Sequence, residues 1–81
     1  MSVFVNPLKS AKAKFKEEIQ LQIQNHKKAS MHLEAAAKNH LEAAKHHEEG
    51  HHELAAICSL AAYNYTEMAI EKQNRLVKSN L

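Results

Sequence analysis

Histidine is the residue type in this chain most suited to chemistry, with seven copies among 81 residues. Four of them flank the only glycine in KHHEEGHH, residues 45–52. Neutral imidazole is a good ligand for zinc, nickel and copper. Two histidines on a helix can chelate one ion when they are three or four residues apart. The sequence therefore suggests a transition-metal site (Zn, Ni or Cu) near the glycine, with candidate ligands His40, His47, His51 and His52.

The established helical metal motifs do not match this segment. His47 to His51 has the outer spacing of His-Glu-x-x-His, but Gly50 interrupts the helix that this motif requires. The Glu-x-x-His spacings in the segment straddle the same glycine, so the paired signature of di-iron bundles is absent.

A structural interpretation of the histidines competes with the metal hypothesis. His40 and His47 lie on a predicted contact face, where a partly buried imidazole would form a hydrogen bond across a helix–helix seam. By contrast, His32, His46 and His52 fall on the polar side of the pattern, where we expect them to be solvated.

Catalysis has little support in the sequence. There is no aspartate and no glycine-rich phosphate loop, and a single glycine disfavours a sharp nucleophile elbow. Cys58 lies in the apolar segment AAICSLAA, which indicates packing rather than a reactive thiol. We therefore expect no enzymatic activity and no cofactor.

Charge and hydropathy narrow the choice of partner and compartment. A formal charge of +2, with acids and bases interspersed, disfavours nucleic acid as a partner. The lysine-rich stretch of residues 8–16 could contact an anionic membrane or nucleic acid, but Glu17 and Glu18 follow at once, so we expect neither. With no signal-like or membrane-spanning segment and one cysteine, we expect a cytoplasmic protein.

Helix formers dominate the chain from Leu8 onward. Asn6-Pro7 is typical of an N-cap followed by proline in the first helical position. Gly50 favours a bend, because glycine reaches the left-handed conformation at low cost. The predictions are one helical domain over 1–81, with an extended arm at 1–6, helix one at 7–49, a turn at 50–51 and helix two at 52–78.

Residues spaced by three and four predict one contact face for helix one. These residues are Phe15, Ile19, Ile23, His26, Ser30, Leu33, Ala36/Ala37, His40, Ala43/Ala44 and His47. The many alanines favour a close approach of helices. In helix two, Leu54 to Tyr63 has apolar or small residues on every side, which predicts burial against more than one helix.

Two local resemblances accompany this pattern. EEGHHELA, with Ala55 and Ala62 following Gly50, resembles the bend of a single tetratricopeptide-type hairpin, without the aromatic positions of that repeat. HLEAAAK and HLEAAKHHEEG, residues 32–38 and 40–50, resemble segments of small His/Ala-rich helical bacterial proteins of unknown function. The second resemblance implies helix and a bacterial origin.

The sequence thus predicts an all-α fold, a long helical hairpin that completes a four-helix bundle by homodimerisation. Helix one would outrun helix two by some fifteen residues, about 20 Å. The alternative is a three-helix bundle in which helix one kinks near Ser30. We expect a small structural or protein-interaction module that binds a second copy of itself or another protein. The alternative is binding of a metal or small ligand through His40, His47, His51 and His52.

Overall fold

Two long helices joined by a short bend make up the protein. The computed structural model describes the backbone of residues 7–79 and the side chains of residues 12–78. Helix α1 spans Pro7–Glu48 and helix α2 spans His52–Ser79. The predicted all-α hairpin is confirmed. The predicted arm of residues 1–6 lies outside the described residues.

Helix α1 is continuous through the segment in which a kink was considered. Residues 27–30 are helical, as are the turns before and after them. Sharp kinks arise at proline, at Gly/Ser pairs or where the hydrogen-bond ladder is interrupted. Ser30 is exposed, and residues 27–30 contain no proline or glycine and show no break in the helix. The alternative of a third helix formed by a kink near Ser30 is therefore wrong.

Gly50 reverses the direction of the chain. Its φ angle is 79°, in the left-handed region. The Gly50 N–H donates to the carbonyl of His47 (3.1 Å), and the His51 N–H donates to the carbonyl of His46 (2.7 Å). These two bonds form the Schellman motif that ends many helices. The His51 carbonyl then accepts from the Ala55 N–H at 3.0 Å, so α2 begins without an intervening loop.

Alanine forms the core of the hairpin. Six alanines are at most 6% exposed, and those of α2 are fully buried: Ala29, Ala36, Ala43, Ala55, Ala62 and Ala69. Within each helix they recur every seven residues, the period of a two-helix seam. No large side chain among those described is fully buried. The two helices therefore meet through methyl groups.

A second row of the seam is polar or aromatic. In α1 it consists of Asn25, His32, Asn39 and His46, and in α2 of His51, Cys58, Tyr65 and Lys72. The His32 and Tyr65 rings stack with centroids 6.4 Å apart, and in this antiparallel alignment Ala36 lies about level with Ala62. His32 and His46 are half-buried, so the prediction that both are solvated is wrong.

The predicted contact face of α1 differs from the observed one by about one residue. Ala36 and Ala43 of the predicted face are buried, but Leu33 and Ile23, expected inside, are 44% and 39% exposed, and Ala29, outside the predicted face, is buried. The sequence carries two adjacent stripes with the same spacing, and the predicted face combines residues of both. Close packing through alanine excludes those larger side chains from the seam.

Helix α1 extends past the end of α2. It has 42 residues against 28 in α2, a difference of 14 residues or about 21 Å. The alignment of the seam places Ser79 level with about residue 19. Phe15, which lies beyond that point, is 55% exposed.

Neither helix, over the residues described, contains an apolar stretch of the length that crossing a membrane requires.

Candidate functional site

The bend brings its four histidines together as two pairs. His46 and His51 are one pair, with ring centroids 6.1 Å apart. In a Schellman motif the residue after the glycine commonly contacts the residue that lies four positions before the glycine. His51 and His46 occupy these two positions. The Nδ1 atom of His46 is buried without a hydrogen-bond partner. The pair therefore closes the bend by packing.

The second pair, His47 and His52, makes a direct polar contact. Their Nδ1 atoms are 2.7 Å apart, and the ring centroids are 5.0 Å apart. One ring must carry its proton on Nδ1 and donate it to the unprotonated Nδ1 of the other ring. Both side chains are exposed. His47 lies in the last turn of α1 and His52 is the first residue of α2, so the contact links the two helices on the solvent side.

The structure brings together only two of the four predicted metal ligands. His40 is exposed and lies one heptad, about 10.5 Å, along α1 from His47. His51 packs against His46, and its Nδ1 lies 3.8 Å from an oxygen of Glu49. Within the described part of the chain, no group of three or more histidine, cysteine or acidic side chains is arranged to hold a metal ion.

The i, i+5 pairing of these histidines escaped the sequence analysis. On a straight helix, side chains are close enough to pair when they lie three or four residues apart, and not when they lie five apart. A glycine in the left-handed conformation turns the chain so that residues five apart meet across it. Two adjacent histidines on each side of such a glycine are the signal from which both pairs could have been predicted.

A second candidate site runs along one side of the hairpin, beside the alanine seam. We call it the uncharged flank, because its positions contain no Asp, Glu, Lys or Arg. In α1 it consists of Ile19, Ile23, His26, Ser30, Leu33, Ala37, His40, Ala44 and His47. In α2 it consists of His52, Ala56, Ser59, Tyr63, Thr66, Ile70, Gln73 and Val77.

Large apolar side chains on the uncharged flank face solvent in the single hairpin. Tyr63 is 60% exposed, Ile70 41% and Val77 77%. An open groove of about 890 Å³ runs between the helices on this side; its lining includes His26, Leu33 and Val77 of the flank and the neighbouring Glu34. Most of the predicted contact face of α1 lies on this flank.

The opposite side of the hairpin differs sharply in charge. Charged residues there include Lys28, Lys38, Glu42, Lys45, Glu71 and Arg75. Glu71 and Arg75 form an exposed i, i+4 ion pair at 2.8 Å. Charged residues of both signs are typical of a solvated surface. The two sides of the hairpin thus differ in permanent charge, although exposed apolar residues such as Met31, Ile57 and Met68 lie outside the uncharged flank as well.

Comparison with known proteins yields no match: no family model, no curated protein and no solved structure is similar to this chain. The candidate sites therefore rest on their own geometry.

Proposed function

We propose that this protein is a protein-interaction module whose partner is a second copy of itself, docked through the uncharged flank to form a four-helix bundle. The observation that carries this proposal is the long side of the hairpin that holds exposed apolar residues and no permanent charge. Partly exposed Leu33, Tyr63 and Ile70 lie along this side. A large exposed apolar surface is typical of an interface.

The dimensions of the hairpin support a partner of this size. The radius of gyration is 20.5 Å, whereas a compact domain of this length has about 12 Å. The accessible surface is 6714 Å², against about 4900 Å² for a compact protein of 9.2 kDa. The excess of about 1800 Å² is larger than the roughly 800 Å² that each partner buries in a standard interface.

A second copy is the partner that matches the chemistry of the flank. Two identical uncharged flanks meet without like-charge repulsion, and a two-fold axis makes one patch complementary to itself. The alanine seam also leaves the hairpin poor in buried apolar surface, since each buried methyl group contributes only about 0.8 kcal/mol. Pairing through the flank would cover its exposed large residues, which are Ile23, Leu33, Tyr63, Ile70 and Val77. In residues 54–63 it would cover Ala56, Ser59 and Tyr63 and leave Leu54, Ile57 and Leu60 exposed.

Sedimentation equilibrium of Leu33→Glu tests the proposal. Leu33 is half-exposed, so the hairpin itself should tolerate glutamate and retain its helical circular dichroism. We expect the wild type to sediment as a dimer and Leu33→Glu to sediment as a monomer, because two carboxylates would be buried in the interface.

Met31→Glu is the matched control. Met31 is 67% exposed on α1, and its neighbours three and four residues away are not part of the uncharged flank. This variant should sediment as a dimer. A monomeric wild type, or equal loss of association in both variants, would contradict docking through the uncharged flank.

A further inference from the structure

We propose that His47 and His52 form a two-nitrogen binding site for a divalent transition-metal ion, Cu²⁺ in first place, at the bend of each hairpin. The site replaces the predicted set of four ligands by the two that the structure brings together. It does not depend on self-association, because both ligands belong to one chain and lie at the bend end of the uncharged flank, beyond its large apolar residues Leu33, Tyr63 and Ile70.

The distance between the two nitrogens is close to that of neighbouring ligands on a metal. With metal–nitrogen bonds of about 2.0–2.1 Å, two nitrogens at a right angle lie about 2.9 Å apart, and in a tetrahedron about 3.3 Å. The observed Nδ1–Nδ1 distance is 2.7 Å. A right-angled site thus requires less movement than a tetrahedral one. Tetragonal geometry with nitrogen ligands is preferred by Cu²⁺ and Ni²⁺.

Binding requires a change of tautomer and no net release of a proton. In the free protein one imidazole donates its Nδ1 proton to the other ring. When the ion binds, that proton moves to Nε2 of the same ring, and both Nδ1 lone pairs become available. Each ring must turn by about 45°, because its lone pair has to point at the ion and no longer at the other nitrogen. Both side chains are exposed, so this rotation is open to them.

The surroundings favour a cation and leave room for its other ligands. Glu48, Glu49 and Glu53 are neighbours in sequence and Lys45 is the nearest base, so the bend is net negative with neutral histidines. His47 lies in the last turn of α1, where the helix dipole favours positive charge, whereas His52 is the first residue of α2, where the dipole opposes it. The attraction for a cation therefore comes from the acidic residues. Both histidines are exposed, so water molecules can complete the coordination.

Isothermal titration calorimetry of the untagged protein with CuCl₂, NiCl₂ and ZnCl₂ tests the site. We expect one ion per chain, with affinity highest for Cu²⁺, as the general order of divalent metals requires. His47→Ala and His52→Ala should each weaken Cu²⁺ binding more than about tenfold, since the loss of a direct ligand exceeds the effect of an outer-shell change. Nitrogen hyperfine coupling in the Cu²⁺ electron paramagnetic resonance spectrum should be reduced in both variants.

Two controls keep the test specific. His40→Ala removes an exposed histidine of the same helix and should leave the affinity unchanged. Leu33→Glu, designed to be monomeric, should also bind Cu²⁺ as the wild type does, which separates this site from the proposed dimer. Absence of binding, or equal affinity in the wild type and His47→Ala, would overturn the proposal.

Discussion

Gly50 does at the level of one residue what a loop does in most helical hairpins. With Gly50 in the left-handed conformation, the N–H groups of Gly50 and His51 bond to the last carbonyls of α1. The His51 carbonyl then accepts the first hydrogen bond of α2. The surrounding histidines then meet in pairs as a result of this geometry. From sequence, the position of the bend was predictable because only glycine reaches this conformation at low cost. The pairing of His46 with His51 does not follow from helical spacing rules, which do not apply across a reversal; it follows only from the two histidines on each side of a left-handed glycine.

Gly50→Ala should destabilise the hairpin through the backbone alone. A Cβ atom at this position would have nothing within 4 Å, so no steric contact contributes. Holding an L-residue in the left-handed conformation costs about 1–2 kcal/mol. We expect a loss of that size in the free energy of unfolding, measured by urea titration. Gly50→Asn should lose less, because asparagine adopts this conformation more readily. Equal losses for both would contradict the backbone explanation.

At the level of elements, the two helices pair through a row of alanines and a row of polar or aromatic residues. Asn39 Nδ2 donates to the carbonyl of Ala35 (2.9 Å), and Thr66 Oγ1 donates to that of Ala62 (2.8 Å), each within its own helix. Polar side chains near the seam can thus be satisfied without reaching across it. The seam therefore derives its close contact from methyl groups, and the stacking of His32 with Tyr65 adds a contact that is compatible with the alignment set at the bend.

Ala36→Leu should destabilise the hairpin, and Ala37→Leu should not. Ala36 is 3% exposed in the seam, whereas Ala37 is exposed on the uncharged flank. Adding three carbon atoms to a filled core costs about 1–3 kcal/mol. Denaturant unfolding of the two variants in the Leu33→Glu background, designed to keep the flank unpaired, measures the difference at adjacent positions. A larger loss for Ala37→Leu would mean that Ala37, and not Ala36, of the predicted face meets α2.

Helix boundaries and helix faces differ in how far the sequence determines them. Pro7 and Gly50 mark the helix ends chemically, and the structure has α1 at Pro7–Glu48 and α2 at His52–Ser79. The contact face is ambiguous because two stripes in α1 share the spacing of three and four. One stripe holds Ala29 and Ala36, and the other holds Ile23 and Leu33. Which stripe meets α2 depends on α2, whose own alanines admit only a close neighbour. The periodicity within α1 therefore does not show which of its two stripes meets α2.

At the level of the whole molecule, the hairpin is long, thin and rich in exposed apolar residues. Its cross-section is 19 × 15 Å, about that of two helices side by side. A two-layer arrangement with a single alanine seam leaves one side of each helix without a neighbour. In the proposed dimer, the flanks of two copies supply the second layer, with Leu33 and Ile70 in the interior of the bundle.

The thermal stability of the protein should depend on its concentration. If folding is coupled to dimerisation, a hundredfold increase in concentration adds about 1.4 kcal/mol per chain by mass action. For a domain of this size, that corresponds to a rise in Tm of roughly 5–10 °C. Circular dichroism melts across that range measure the shift. A Tm that is independent of concentration in the wild type would contradict coupling of stability to association.

The sevenfold repetition of the alanines has a consequence for how the two helices find each other. Sliding α2 along α1 by two turns would again set most methyl groups against methyl groups, so these rows alone cannot select one alignment. The connection of residues 49–51 makes that selection, because it is too short to allow such a slide. A chain nicked there would keep both helices and lose the covalent restraint that holds their alignment.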